Sequence, residues 1–273
     1  MKDGIFYWNT DPVIFSITDS FPLKYYGLFF VIGLLLGYQI VKRIYIKENI
    51  PVEKLDKLAT YIFIGTLLGA RLGHVLFYQP EYYFNHPLEI FLPIQEINGS
   101  YEFVGFQGLA SHGGALGVLI AIIWYSIKYK TKLLWILDRV AIAIPVAGAF
   151  IRLGNFMNSE IYGKPTNGNW GVVFQRDDLI PRHPTQLYEA LSYFLIFVIL
   201  MYTYKNSKNK NFSGVLFGVF LILLFLARFI IEFFKENQVA FENQMTLNMG
   251  QWLSLPFIIA GILLIILQRK PSA

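Results

Sequence analysis

The sequence predicts an all-α, polytopic transmembrane helical bundle of about seven spans. Three observations carry that prediction. Hydrophobic residues make up 55% of the 273, and charged residues only 15%, against about a quarter in ordinary globular chains. The mean hydropathy is +0.47. The apolar residues also fall into blocks near the ~20 residues that a helix needs to cross a bilayer. The blocks are 23–42, 58–78, 108–127, 133–152, 187–204, 213–234 and 250–268.

Ahead of the first block, Phe6-Tyr7-Trp8 and Phe15 suit a membrane interface, where amphipathic rings prefer to sit. Small residues at spacing four occur in the first three blocks: Gly33/Gly37, Gly65/Gly69/Gly73 and Gly113/Gly117. Such spacing lets helices approach closely. The 79–107 segment is apolar and aromatic, as expected of a stretch resting on the interface. Pro145 and Pro256 lie inside the fourth and seventh blocks and predict kinks. The run from Lys164 to Asn169 reads as an exposed turn. With no internal repeat or low-complexity linker, residues 1–273 are expected to form one integral membrane domain.

Charge placement gives an orientation. Lys42, Arg43, Lys47, Lys54, Lys57, Lys128, Lys130, Lys132, Arg139, Lys205, Lys208, Lys210, Arg269 and Lys270 all follow odd-numbered blocks, and are 14 of the 23 Lys and Arg. The 79–110 stretch has neither lysine nor arginine but carries Glu81, Glu89, Glu96 and Glu102. Basic residues favour the cytoplasmic side, so the N-terminus is expected outside and the C-terminus in the cytoplasm. The net charge of +5 is mostly this topological signal and needs no nucleic acid partner. The first 21 residues lack the basic start and small-residue cleavage site of a signal peptide. Without cysteine, there are no disulfides, thiolate metal sites or cysteine nucleophile. His74, His86, His112 and His183 show no metal-ligand pairing, so no metal or other cofactor is expected.

The polar residues sort by depth. Tyr26, Arg71, His112, Arg152, Asn155, Arg182, His183, Arg228 and Glu232 all fall towards the outer ends of spans under this topology. Ionisable groups at membrane depth are costly and mark functional sites. Four arginines, with Glu160, Glu189 and Glu232 as partners by type, make the cluster cationic. Guanidinium forks bind phosphate at two points, and a histidine beside them accepts a proton near neutrality. The expectation is an anionic phospholipid headgroup site with a proton transfer. Plainer readings stand beside it: Arg228 and Glu232, four apart, also suit a simple ion pair, and Arg182-His183-Pro184 a simple turn. His74 and His86 read as structural.

At these residues the chain resembles the prolipoprotein diacylglyceryl transferase family. The matching strings are Asp11-Pro12-Val13-Ile14-Phe15, Tyr25-Tyr26-Gly27, Gly69-Ala70-Arg71-Leu72-Gly73, His112-Gly113-Gly114, Arg152-Leu153-Gly154-Asn155-Phe156 with Asn158, Glu160 and Gly163, Arg182-His183-Pro184-Thr185-Gln186-Leu187-Tyr188-Glu189, Arg228 to Phe233, and Gly250-Gln251-Trp252-Leu253-Ser254. The two long arginine-led strings are the specific ones.

The resemblance implies transfer of the diacylglyceryl group of phosphatidylglycerol to the lipobox cysteine of a preprolipoprotein, next to its signal peptide, at the outer face of the bacterial inner membrane. It implies catalytic roles for His112 and Arg228, phosphate contact by Arg152, and lipid binding by Tyr26, Asn155, Glu160, Gly163 and Glu232, the last as the partner of Arg228. Arg71, Arg182 and His183 would support them. Ser111 stands where many members have Phe, His74 where an aromatic is common, and Leu224 where some have a functional tyrosine. Two other classes are a lipid or anion transporter, disfavoured by the lack of repeats, and an intramembrane hydrolase using Ser111. Neighbouring helical side chains point about 100° apart, which disfavours a Ser111–His112 pair.

Overall fold

The structure, a computed structural model, describes residues 4–18, 21–97, 99–104, 108–206, 214–236, 242 and 245–268. In chain order the elements are β1 (Ile5–Trp8), β2 (Val13–Thr18), β3 (Phe21–Lys24), α1 (Tyr25–Lys47), α2 (Val52–Phe77), α3 (Pro80–Asn85), α4 (Leu88–Phe91), β4 (Ile94–Ile97), β5 (Ser100–Phe103), α5 (Ser111–Lys128), α6 (Leu133–Met157), β6 (Gly171–Phe174), β7 (Pro181–Arg182), α7 (Thr185–Asn206), α8 (Val215–Ile231) and α9 (Met249–Gln268). A 3-10 turn, Glu232–Phe234, continues α8.

Among the described residues, six helices are long and apolar enough to cross a membrane, and α5 is a shorter apolar one. At ~1.5 Å per residue, its 18 residues extend about 27 Å. Many outward-facing residues on these helices are apolar; Leu35, Phe63, Ile127 and Leu191 are all more than half exposed. Such a surface suits lipid rather than water. This is a multi-pass helical membrane protein. Lys208, Lys210, Arg269 and Lys270 of the charge tally lie outside the described residues. Arg139 is no loop charge: it lies within α6, buried beside Asp138.

The chain forms two compact units, residues 1–44 with 137–273, and residues 45–136. In the second, α2 and α5 pack through their glycines. A Cβ on Gly73 would stand 2.8 Å from the Gly113 Cα, and one on Gly65 would stand 2.6 Å from the Ala121 Cβ. A Cβ on Gly117 would collide with the Gly65 carbonyl. The small-residue spacing thus marks a real backbone contact, as read from the sequence. Gly117→Val should therefore force the two helices apart. Overpacking of this kind costs about 3 kcal/mol, read as a lowered melting temperature in detergent; an unchanged melt would show that the helices are not held at this distance. The 79–107 stretch is more structured than an apolar loop: α3, α4 and the β4–β5 hairpin are built there, leaving Phe84, Phe91 and Phe103 exposed.

In the first unit the core is formed by α6, α7 and α8, with Ile142, Ala149, Tyr193, Leu200, Leu216 and Phe220 all buried. Pro145 and Pro256 lie inside α6 and α9 as expected. The aromatic N-terminus does more than sit at an interface. As β1 it pairs in parallel with β6, which pairs antiparallel with β7. Trp8 stacks obliquely on Phe156 at 4.6 Å between ring centroids, and Phe174 also packs there. This small sheet closes one end of α6 and α7.

Candidate functional site

Helix α6 does not stop at the polar stretch. It runs through Arg152 and Asn155 to Met157, because their side chains find partners within the protein. The Arg152 Nη1 donates to Asn155 Oδ1 at 3.1 Å, and its Nε lies 2.8 Å from Glu189 Oε2. Asn155 Nδ2 in turn donates to Glu160 Oε2 at 3.2 Å, and Asn158 Nδ2 to Glu160 Oε1 at 3.1 Å.

Beyond the helix the chain reverses sharply. Ser159 and Ile161 adopt φ of +58° and +57°, a conformation that costs non-glycine residues roughly 1–2 kcal/mol each. The turn is held by Glu160 N–H to Asn155 O at 2.9 Å, Gln186 Nε2 to Glu160 O at 2.6 Å and Thr185 Oγ1 to Ile161 O at 3.0 Å. Strained backbone so firmly held is a mark of functional sites. At Gly163 the N–H donates to His183 O at 2.8 Å, and a Cβ would stand 2.7 Å from both the His183 Cβ and the Thr185 Cγ2. Only glycine fits that crossing.

The second half of the site comes from α7, the end of α8 and the start of α9. Lys235 bridges two carboxylates, 2.9 Å from Glu189 Oε1 and 3.7 Å from Glu232 Oε2. Glu232 lies against Gly250, whose lack of a side chain makes room for the carboxyl group. Asn248 and Gln251 cap the start of α9 reciprocally, at 3.0 and 2.9 Å, a capping box. Tyr26 packs on Gly154 and feels the charges of Glu160 and Arg152. Tyr193 is likewise in the field of Arg152, Glu189 and Arg228.

Arg228 is half-buried and, among the described residues, makes no hydrogen bond or ion pair. The Arg228–Glu232 pair suggested by their spacing is not formed among these residues; Glu232 takes Lys235 instead. Arg152 and Lys235 pair with Glu189 and Glu232, and Glu160 sits on Asn155 and Asn158, so with Arg228 this group has three cations and three carboxylates and is charge-balanced rather than cationic. Among the described residues, Arg228 is the cation left unpaired in it. Buried polar atoms without a hydrogen-bond partner concentrate here as well: Asn158 Oδ1, Ser159 Oγ, Gln186 Oε1, Glu189 Oε2 and Glu232 Oε2. Such atoms are rare in native interiors and call for water or ligand.

The profile of prolipoprotein diacylglyceryl transferases matches residues 12–267. The chain belongs to this family. It is 52% identical to the phosphatidylglycerol–prolipoprotein diacylglyceryl transferase of Tolumonas auensis over 98% of this chain and 99% of that one. The enzyme of the same name from Bacteroides fragilis is 48% identical, over 93% and 92% of the two chains. That from Chloroherpeton thalassium is 42% identical over 97% and 95%.

Of the diacylglyceryl transferase positions read from the sequence, Tyr26, Arg152, Asn155, Glu160, Gly163, Glu232 and Arg228 all lie in the first unit. His112 lies in the second, exposed on the first turn of α5. Arg71, also there, is buried; it donates to Ile90 O at 3.0 Å, to Glu89 O and to the Tyr83 hydroxyl at 3.2 Å. It thereby ties down the α3–α4 segment.

Arg182 is engaged by Asp178 at 2.6 Å and by Glu236. His183 accepts or donates at 3.2 Å with the Tyr188 hydroxyl and packs edge-on to Trp170; burial pushes its ring below the ordinary histidine range, towards the neutral form. Both brace the 163–183 segment.

The Arg182 hydrogen bond holds the Asp178 carboxyl below its ordinary value of 3.8. The pair's contribution is therefore complete above about pH 4 and is lost as pH falls through that lowered value. In the wild type an acid-side fall in melting temperature is expected below pH 4, and Asp178→Asn should flatten it. Equal slopes in both proteins would remove the pair from the account.

Proposed function

We propose that this chain transfers the diacylglyceryl group of phosphatidylglycerol to the cysteine thiol of a preprolipoprotein lipobox, beside the signal peptide, releasing glycerol phosphate. This is the first step of bacterial lipoprotein maturation. Residues 1–273 work as one transferase domain in the bacterial inner membrane, N-terminus outside and C-terminus in the cytoplasm, with the reaction at the outer leaflet. The observation that carries the reading is Arg152. It is fixed by Asn155 and Glu189, yet its guanidinium has five N–H groups, so some remain for a phosphate.

The chemistry follows from the charges. A cysteine thiol ionises at about pH 8.5, and the thiolate is the nucleophile. His112 takes the thiol proton, and the sulfur attacks the glyceryl carbon that bears the phosphate ester. A C–S bond forms, the C–O bond to phosphate breaks, and its electron pair leaves with glycerol phosphate. Arg152 and Arg228 hold that phosphate and stabilise the departing charge. Asn155 and Glu160 orient Arg152, Glu232 holds Lys235, Gly163 permits the tight crossing, and Tyr26 completes the wall.

Purified protein with phosphatidylglycerol vesicles and a lipobox cysteine peptide should yield thioether-linked peptide and glycerol phosphate in equal amounts. Lipid movement without product would mean a transporter. Lipid cleavage that does not need the peptide would mean a hydrolase.

A further inference from the structure

Lys235 is absent from the family strings quoted above, yet it is 4% exposed and sits between two buried carboxylates. Its Nζ lies 2.9 Å from Glu189 Oε1, while Glu189 Oε2 lies 2.8 Å from Arg152 Nε. One carboxylate is thus shared by two cations, each taking a different oxygen. The backbone around Lys235 is fixed too: Gly163 forms a bridge with it, and Lys164 N–H donates to Phe234 O at 2.8 Å.

We propose that Lys235 is a positioning residue for diacylglyceryl transfer, locking Glu189 and thereby setting the angle at which Arg152 presents its guanidinium to the phosphate of the lipid. The proposal rests on Arg152 being the phosphate contact. A carboxylate held at one oxygen turns easily about its last torsion, which has no sharp wells. Hydrogen-bonded at Oε1 by Lys235 and drawn at Oε2 by the Arg152 charge, which makes an ion pair but no hydrogen bond there, it turns less freely, and the guanidinium against it is better placed. Two-point recognition of phosphate depends on that placement, and a misplacement of ~1 Å can cost about 100-fold in rate. Lys235 also offsets Glu189 and Glu232, so the arriving anion meets no uncompensated negative charge.

The test is steady-state transfer by the purified full chain in phosphatidylglycerol-containing micelles. Lys235→Met should raise the KM for phosphatidylglycerol about tenfold or more, with the KM for the peptide unchanged and kcat less affected. Lys235→Arg should restore most of the lipid affinity, since it keeps the buried charge and can reach the same carboxylate. Should Lys235→Met fold poorly, Lys235→Met/Glu232→Gln removes one buried charge of each sign and should show the same KM defect at a near-normal melting temperature.

An unchanged lipid KM in either methionine variant overturns the proposal, as does an arginine variant no better than the methionine one. Arg152→Ala separates the two readings. If it raises the lipid KM while the Lys235 variants do not, Lys235 alone is misassigned; if it leaves the lipid KM unchanged, the phosphate reading itself fails.

Discussion

Arg152→Ala is expected to lower transferase activity by about 100- to 1000-fold, the usual cost of removing one donor that stabilises a developing anion. Two losses combine in this variant. The phosphate loses its two-point contact, and among the described residues Glu189 is left with Lys235 as its only cation. Arg152→Lys should recover only part of the activity, since an ammonium supplies the charge without the planar fork. Kinetics with varied phosphatidylglycerol, beside a melting curve to confirm folding, is the measurement. Unchanged lipid affinity in Arg152→Ala would end its phosphate role.

His112→Gln is expected to cost about 100- to 10,000-fold at neutral pH, the range for a positioned acid–base group. Glutamine keeps the size and hydrogen bonding of the side chain but cannot take a proton. The deficit should narrow as the medium approaches the thiol pKa of about 8.5, because the peptide then ionises unaided. Thioether formation measured from pH 6.5 to 9 tests both parts. Near-normal product at neutral pH would remove His112 as the base, and a deficit that stays constant with pH would assign it to binding instead.

The membrane fold was legible because lipid imposes a simple code: apolar blocks of fixed length, and glycines where backbones meet. Gly65, Gly69, Gly73, Gly113 and Gly117 could be read as a contact before any partner was known. The β1–β6–β7 sheet was not legible. Four-residue strands such as Ile5–Trp8 carry too little alternation, and the same aromatic residues fit an interface anchor equally well. For the candidate site, residue types and order pointed to Arg152, Asn155 and Glu160, which the structure joins. Pairings depending on residues far apart in sequence were hidden. Arg228 and Glu232 had ideal helical spacing, yet Glu232 turned to Lys235 once α8 tightened into a 3-10 turn. Lys235 itself had one signal, a basic residue just past a span on the side where lysine and arginine are sparse. Asp178 and Glu236, which hold Arg182, had none beyond their charge.

Asp138 bears on the order in which the protein is assembled. This fully buried carboxylate on α6 accepts the N–H of Gly214 at 2.8 Å and of Phe217 at 2.9 Å, 76 and 79 residues later in the chain. Helix α8 begins Gly214-Val215-Leu216-Phe217 and has no side chain of its own to cap its first turn. In a bilayer, a bare N–H costs several kcal/mol. The cap is therefore made before the helix that needs it: α6 leaves the ribosome first, and α8 is completed only when it docks beside that waiting aspartate.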